Sequence, residues 1–318
     1  MKSQRDEFLE ILLDRAKKDS SIILLSVDMG APAIDRWKAE LPDQYFEMGI
    51  SEQNAINVAA GLSRGGKKVF VYFMAVWIHR CFEQIRYSSA IGNNKITILG
   101  NGVGLGYAPA GPAHEPNEDV AVMRTLHNFQ IFAASSSLRI EGIVDQCLTS
   151  SVSNYVRLER KVHKSAQAIH EQEISNTYSN CYAFPSRDKS SKMCILSYGQ
   201  VLRRIYDLRF QYMDKFSEVS ILELCKIWPL EMNEISDYVG TSSHLLVIEE
   251  QSRSGSISEA LALELNSRRM NIEIKTIHLP SRYIFENGNQ DELLDEIGFA
   301  TESILQEIDN VLNEKGMS

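Results

Sequence analysis

The sequence predicts an α/β protein built from two doubly wound domains. Three observations predict it. First, short and almost continuously apolar runs recur at 22–27 (IILLSV), 69–73 (VFVYF), 96–100 (ITILG), 131–134 and 155–158, then at 193–198 (MCILSY), 219–224 (VSILEL), 245–249 (LLVIE) and 272–277 (IEIKTI). Such runs suit strands covered on both faces of a parallel sheet. Second, segments with helical spacing lie between them, the alternation expected of βαβ units with right-handed crossovers. Third, the pattern lapses between 161 and 192, where Ser, Gln, Asn and Lys dominate. The chain therefore divides into a first domain over 1–165, a linker over 166–190 and a smaller second domain over 191–318.

The helices follow from apolar spacing. Phe8, Ile11, Leu12 and Arg15 fall on one face of the first. Ile78, Phe82, Ile85 and Ser89 do the same in IHRCFEQIRYSSAI. In the second domain, Val201, Leu202, Ile205 and Leu208 make a stripe, and another helix covers 257–265. Recurrence every three to four residues is what one buried helix face requires.

Composition narrows the function classes. A chain of 318 residues with 44% hydrophobic and 24% charged side chains reads as soluble and globular. Its formal charge of −9, spread along the chain, disfavours nucleic acid and anionic membrane as partners. The five cysteines form no CxxC pair and read as reduced thiols of a cytoplasmic protein. The amino terminus is charged throughout, unlike a signal peptide. No apolar run approaches the length of a membrane span.

Two stretches hold candidates for chemistry. In YFEMGISEQNAINVAAGLS, an extended run ends at Gly49, Ser51 stands where a helix N-cap belongs, and Glu52 follows in the first turn. By position alone Glu52 complements the helix dipole. In NGVGLGYAPAGPAHEPNEDVAVMR, the glycines do not follow the dinucleotide fingerprint, and His114 by itself is a loop histidine. Asp28, after the first strand, reads as a turn or capping aspartate. Arg160, in VRLERK, reads as a solvated charge.

Together these phrases resemble the transketolase superfamily, from about residue 5 to the C-terminus and in the family's order. GISEQN matches the phrase that carries that family's cofactor-activating glutamate. FVYFMAVWIHRCFEQIR matches the element after it. GPAHE with Glu118-Asp119 matches a histidine loop. The resemblance implies a pyrimidine-binding domain for thiamine diphosphate followed by a transketolase C-terminal-like domain. It implies catalytic roles for Glu52 and His114, cofactor contacts from Asp28, Glu52, Met74 and Trp77, and substrate contacts from His114 and Arg160. In the second domain, VSILELCKIWPLE, LLVIEEQSRSGSISEALA and HLPSRYIFENGNQDELLDEIGF continue the likeness.

There are departures. Gly100 stands where many members have a histidine. Ala110 replaces an aspartate that recognises a sugar hydroxyl. Gln251 and Ser281 replace a histidine and an aspartate of the second domain. The Gly-Asp-Gly phrase that holds Mg²⁺ and the diphosphate is not in this sequence. The resemblance therefore implies a partner, an N-terminal transketolase-like chain with that phrase, in an α2β2 heterotetramer acting on small sugars or sugar phosphates. The expected activity is transfer of a two-carbon ketol unit from a ketose to an aldehyde. The competing readings are the β subunit of a 2-oxo acid dehydrogenase or another acyl-transferring thiamine enzyme, and a non-catalytic scaffold subunit.

Overall fold

The computed structural model describes residues 2–161, 179–186 and 191–313. The first domain opens with helix α1 (Gln4–Ala16), strand β1 (Ile22–Ser26), α2 (Pro32–Glu40), β2 (Tyr45–Glu47), α3 (Glu52–Arg64) and β3 (Lys68–Met74). It continues through α4 (Ile78–Gln84), β4 (Ile96–Asn101), α5 (Asp119–Met123), β5 (Phe129–Ala133), α6 (Ser137–Thr149) and β6 (Ser153–Leu158). The second domain holds β7 (Cys181–Phe184), β8 (Met193–Ser197), α7 (Val201–Gln211), β9 (Val219–Leu224), β10 (Lys226–Trp228), α8 (Met232–Val239), β11 (His244–Ser252), α9 (Ile257–Ser267), β12 (Glu273–Leu279), α10 (Gln290–Leu294) and α11 (Thr301–Asn313). Among the described residues, no helix is long and apolar enough to cross a membrane.

The first sheet runs β10-β5-β6-β4-β3-β1-β2 and the second β12-β11-β8-β9-β7. Every neighbouring pair is parallel except β10 with β5 and β7 with β9. Every residue of β1, β4, β6 and β8 is buried. That is why these stretches read as unbroken apolar runs rather than alternating ones. The small residues of α3 have a packing reason: Ala55, Ile56, Ala59 and Ala60 are buried where this helix lies on the sheet. The stripe of α1 is broader than its spacing suggested. Phe8, Leu9, Leu12, Leu13 and Ala16 are buried, while Arg15 reaches Glu141 and Asp145 on α6.

Two strands were not read from the sequence. β7 lies inside the stretch assigned to the linker, most of which falls outside the described residues. β10 belongs by sequence to the second domain yet forms the edge of the first sheet, with Lys226 opposite Phe132. The domains also share buried polar bonds. Arg139 of α6 pairs with Glu223 of β9 at 3.2 Å, both fully buried. Gln251 of β11 donates to Asp119 of α5 at 2.8 Å.

Candidate active site

The predicted residues gather at one edge, where β1, β3, β4 and β6 end. Parallel α/β sheets bind ligands outside the carboxyl ends of their strands. Glu52 opens α3 and is 4% exposed. Gly49, at φ 63°, turns the chain into this helix in the left-handed region where a Cβ is penalised. Ser51 occupies the N-cap position but does not cap; its hydroxyl donates back to the Met48 carbonyl at 2.6 Å.

Among the described residues the Glu52 carboxylate has one side-chain partner, Arg80 Nη1 at 3.3 Å, and Arg80 is about half exposed. The same guanidinium lies 4.4 Å from the centre of the Trp77 ring. Trp77, half-buried in the turn after β3, meets His114 edge-on at 5.9 Å. His114 ends a short turn after Gly111, whose φ of 75° needs glycine. Its Nδ1 is buried with no hydrogen-bond partner. Tyr107 comes next, 6.5 Å from His114, and Arg160 lies 4.7 Å above the Tyr107 ring. The structure thus links Glu52, Trp77, His114 and Arg160 in one chain of contacts, through Arg80 and Tyr107.

Two predicted residues stand outside that chain of contacts. Met74, half-buried at the end of β3, is in register with Asn101. Asp28 is exposed in the turn after β1 with φ 48°, and its amide donates to Glu47 at 2.9 Å. Sequence reasoning assigned no role to Arg80, Tyr107 or Glu115. Glu115 follows His114 and is 4% exposed; among the described residues neither oxygen makes a well-formed hydrogen bond, and Asn117 is the one polar side chain that helps its charged form. Burial pushes its carboxyl up to about 7, with Glu250, Glu118 and Glu286 adding like charge. An acid inside the histidine motif and a lone aromatic in a glycine-rich loop were the available signals.

The second domain sets the shape of the histidine loop. Glu250 accepts from the Leu105 amide at 2.7 Å, and a Cβ on Gly104 would meet its carboxyl at 2.4 Å. The Ser252 amide donates to the Asn117 carbonyl at 2.8 Å. The sequence departures acquire reasons here. A Cβ on Gly100 would stand 2.6 Å from the Tyr155 ring, so no side chain fits there. Gln251, fully buried, reaches Asp119. Ser281 is exposed, and nothing in the structure explains its identity.

The arrangement suits the ring half of a cofactor: a buried carboxylate with spare hydrogen-bonding capacity beside an indole. Among the described residues, no three His, Cys, Asp or Glu groups are placed to hold a metal ion. Residues 3–164 match the model of the transketolase pyrimidine binding domain, and residues 184–304 that of the transketolase C-terminal domain. The chain belongs to the transketolase family. This transketolase-family chain is 26% identical over 302 residues to one of the apulose-4-phosphate transketolase subunits of Phocaeicola vulgatus, covering 94% of each. It is 30% identical over 159 residues to a 6-deoxy-6-sulfo-D-fructose transketolase subunit of a Clostridium species, covering 49% of each. Its fold matches a solved split gene transketolase, an inactive beta4 tetramer, with TM-score 0.84 at 21% identity, over 98% of this chain and 99% of that one.

Proposed function

We propose that this chain is the pyrimidine-binding subunit of a two-chain transketolase that moves a two-carbon ketol unit from a ketose to an aldehyde. Glu52 carries the reading: a buried carboxylate in a helix's first turn, held by a single half-exposed cation that also lies on Trp77. A structural carboxylate with that burial would be saturated with donors. Two relatives named as transketolase subunits favour ketol over acyl transfer.

Thiamine diphosphate, when bound, would supply a carbon nucleophile for the ketose carbonyl. This chain's residues do the rest. Glu52 would hydrogen bond to the cofactor's pyrimidine ring and hold or release a proton there, in place of its contact to Arg80. Trp77 packs on the ring and keeps water from it. His114 hydrogen bonds to substrate oxygens and moves a proton there. Arg160 binds the substrate's far end. Asp28 and Met74 flank the cofactor from the strand ends. Mg²⁺ and the diphosphate belong to a partner chain carrying Gly-Asp-Gly, in an α2β2 assembly. The functional units are a first domain over 1–165 and a second domain over 191–318 that also takes in β7 (Cys181–Phe184).

The test is reconstitution. Co-expressed with a chain carrying Gly-Asp-Gly, the complex transfers a ketol unit from a ketose and does not turn over 2-oxo acids, while this chain alone is inactive. Glu52→Gln removes activity without preventing assembly. Unimpaired turnover by that variant sinks the reading, and turnover of 2-oxo acids alone replaces it with acyl transfer.

A further inference from the structure

The glycine-rich loop carries one aromatic side chain, Tyr107, and that ring is fixed on several sides. It lies over Gly102, where a Cβ would stand 2.0 Å from a ring carbon. The bare glycine is what admits the ring. Its hydroxyl accepts from Asn101 Nδ2 at 2.9 Å, and Asn101 is fully buried. One neighbour is His114, at 6.5 Å between ring centres. The other is the Arg160 guanidinium, 4.7 Å above the ring.

Arg160 is exposed and makes no ion pair among the described residues. An exposed arginine on a strand end samples many rotamers, and ordering one costs entropy. An aromatic face beneath the guanidinium lowers that cost by holding it flat. Tyr107 therefore holds a planar, five-donor cation, with no ion pair among the described residues, beside the contacts that join Trp77 to His114. The Glu52 carboxylate is the other terminus of that chain of contacts. A substrate reacting at His114 with its chain pointing away from Glu52 meets Arg160 at its tail.

We propose that Tyr107 is a specificity-determining positioning residue: its ring is a shelf that holds Arg160 for a sugar substrate ending in a tetrahedral oxyanion, phosphate or sulfonate. This rests on the transketolase reading above and adds the residue that positions its substrate-binding arginine. A guanidinium recognises such a group through paired N–H donors. Tyr107 does not touch the reacting atoms; it acts through Arg160.

The experiment compares three ketose donors in the reconstituted complex, ending in phosphate, sulfonate or a free hydroxyl. The wild type favours the oxyanion donors, and Tyr107→Phe, which keeps the ring, retains that preference. Tyr107→Leu raises KM for the oxyanion donors about two- to fivefold, the scale of a lost cation–π contact at an exposed site. It leaves kcat, and KM for the neutral donor, unchanged. Tyr107→Leu combined with Arg160→Ala is no worse than Arg160→Ala alone, because one residue works through the other. Whichever oxyanion donor loses more identifies the natural tail. An equal rise in KM for all three donors, or losses that add in the double variant, overturns the proposal.

A second readout needs no turnover. Arginine modification of the complex by phenylglyoxal, followed by peptide mass spectrometry, is slowed at Arg160 by inorganic phosphate in the wild type and not in Tyr107→Leu. Equal protection in both, or none in either, overturns the shelf. A complex that transfers no ketol unit from any donor yet shows this protection refutes the transketolase reading and leaves the shelf standing.

Discussion

Asp119 and Glu52 are both buried acids in the first turn of a helix of the same domain, and they are treated in opposite ways. Asp119 is saturated. It accepts from its neighbour's amide at 2.8 Å, Tyr155 at 2.6 Å, Arg157 at 2.9 Å and Gln251 at 2.8 Å. Those donors come from α5, β6 and β11, so one carboxylate ties three elements and both domains together. Glu52 has a single, longer contact to a half-exposed side chain. Burying a charge is costly unless it is paired and hydrogen-bonded. A saturated acid is part of the framework, and an unsaturated one is poised for a ligand. Glu115 carries this further: among the described residues only Asn117 helps its charged form, and neither oxygen makes a well-formed hydrogen bond.

The contrast can be broken by experiment. The largest effect is expected at Asp119→Ala, which strands the buried Arg157 charge. Denaturant unfolding should show a loss of about 3–5 kcal/mol, as for other broken buried pairs. A loss under 1 kcal/mol (~1 kcal/mol being the ceiling for exposed pairs) would erase the distinction. Glu52→Gln should do the reverse. Its unfolding midpoint stays near wild type, while turnover in the complex falls about 10²-fold or more, the usual range for a lost proton-transfer group. A large stability loss would move Glu52 into the framework class.

Glu115 gives an intermediate and pH-dependent effect. Its folded carboxyl titrates near 7 against 4.5 for an ordinary glutamate. The folded chain thus holds the proton more tightly than the unfolded one. This group's penalty is absent below about 4.5, grows as pH rises, and is complete above about 7. Glu115→Gln should flatten the fall in melting temperature between those pH values and stabilise the chain at pH 8 by about 1–3 kcal/mol, the cost of a buried unsatisfied polar group. An unchanged slope would show that Glu115 finds a partner in solution. The smallest effect is expected at Arg80→Ala. A half-exposed ion pair contributes about 0–1 kcal/mol, so the melt should barely move. A shift of several degrees would mean that Arg80, too, is framework.

Much of the fold was legible because local chemistry dictated it. The runs IILLSV, VFVYF and MCILSY have no polar alternation, and such strands need cover on both faces wherever they sit. Glu52, Trp77 and His114 were legible as part of phrases, although nothing in their spacing says that they meet. Ser51 was misread as a cap because the sequence cannot say which carbonyl its hydroxyl will find. β10 was missed as a member of the first sheet because its partner, β5, lies nearly a hundred residues away in the chain.

By itself the sequence determined the apolar core strands, several of the helices between them, the small-residue face of α3 and the residue types that make the candidate site. These depend on periodicity and side-chain size, which short stretches contain. Only the tertiary structure decided which carboxylate is saturated, that Tyr107 fills the room over Gly102 and carries Arg160, and that Glu250 of the second domain shapes the loop bearing His114. Each of these is a contact between distant segments, and a hydrogen bond or ring contact exists only once packing has put its two ends within reach.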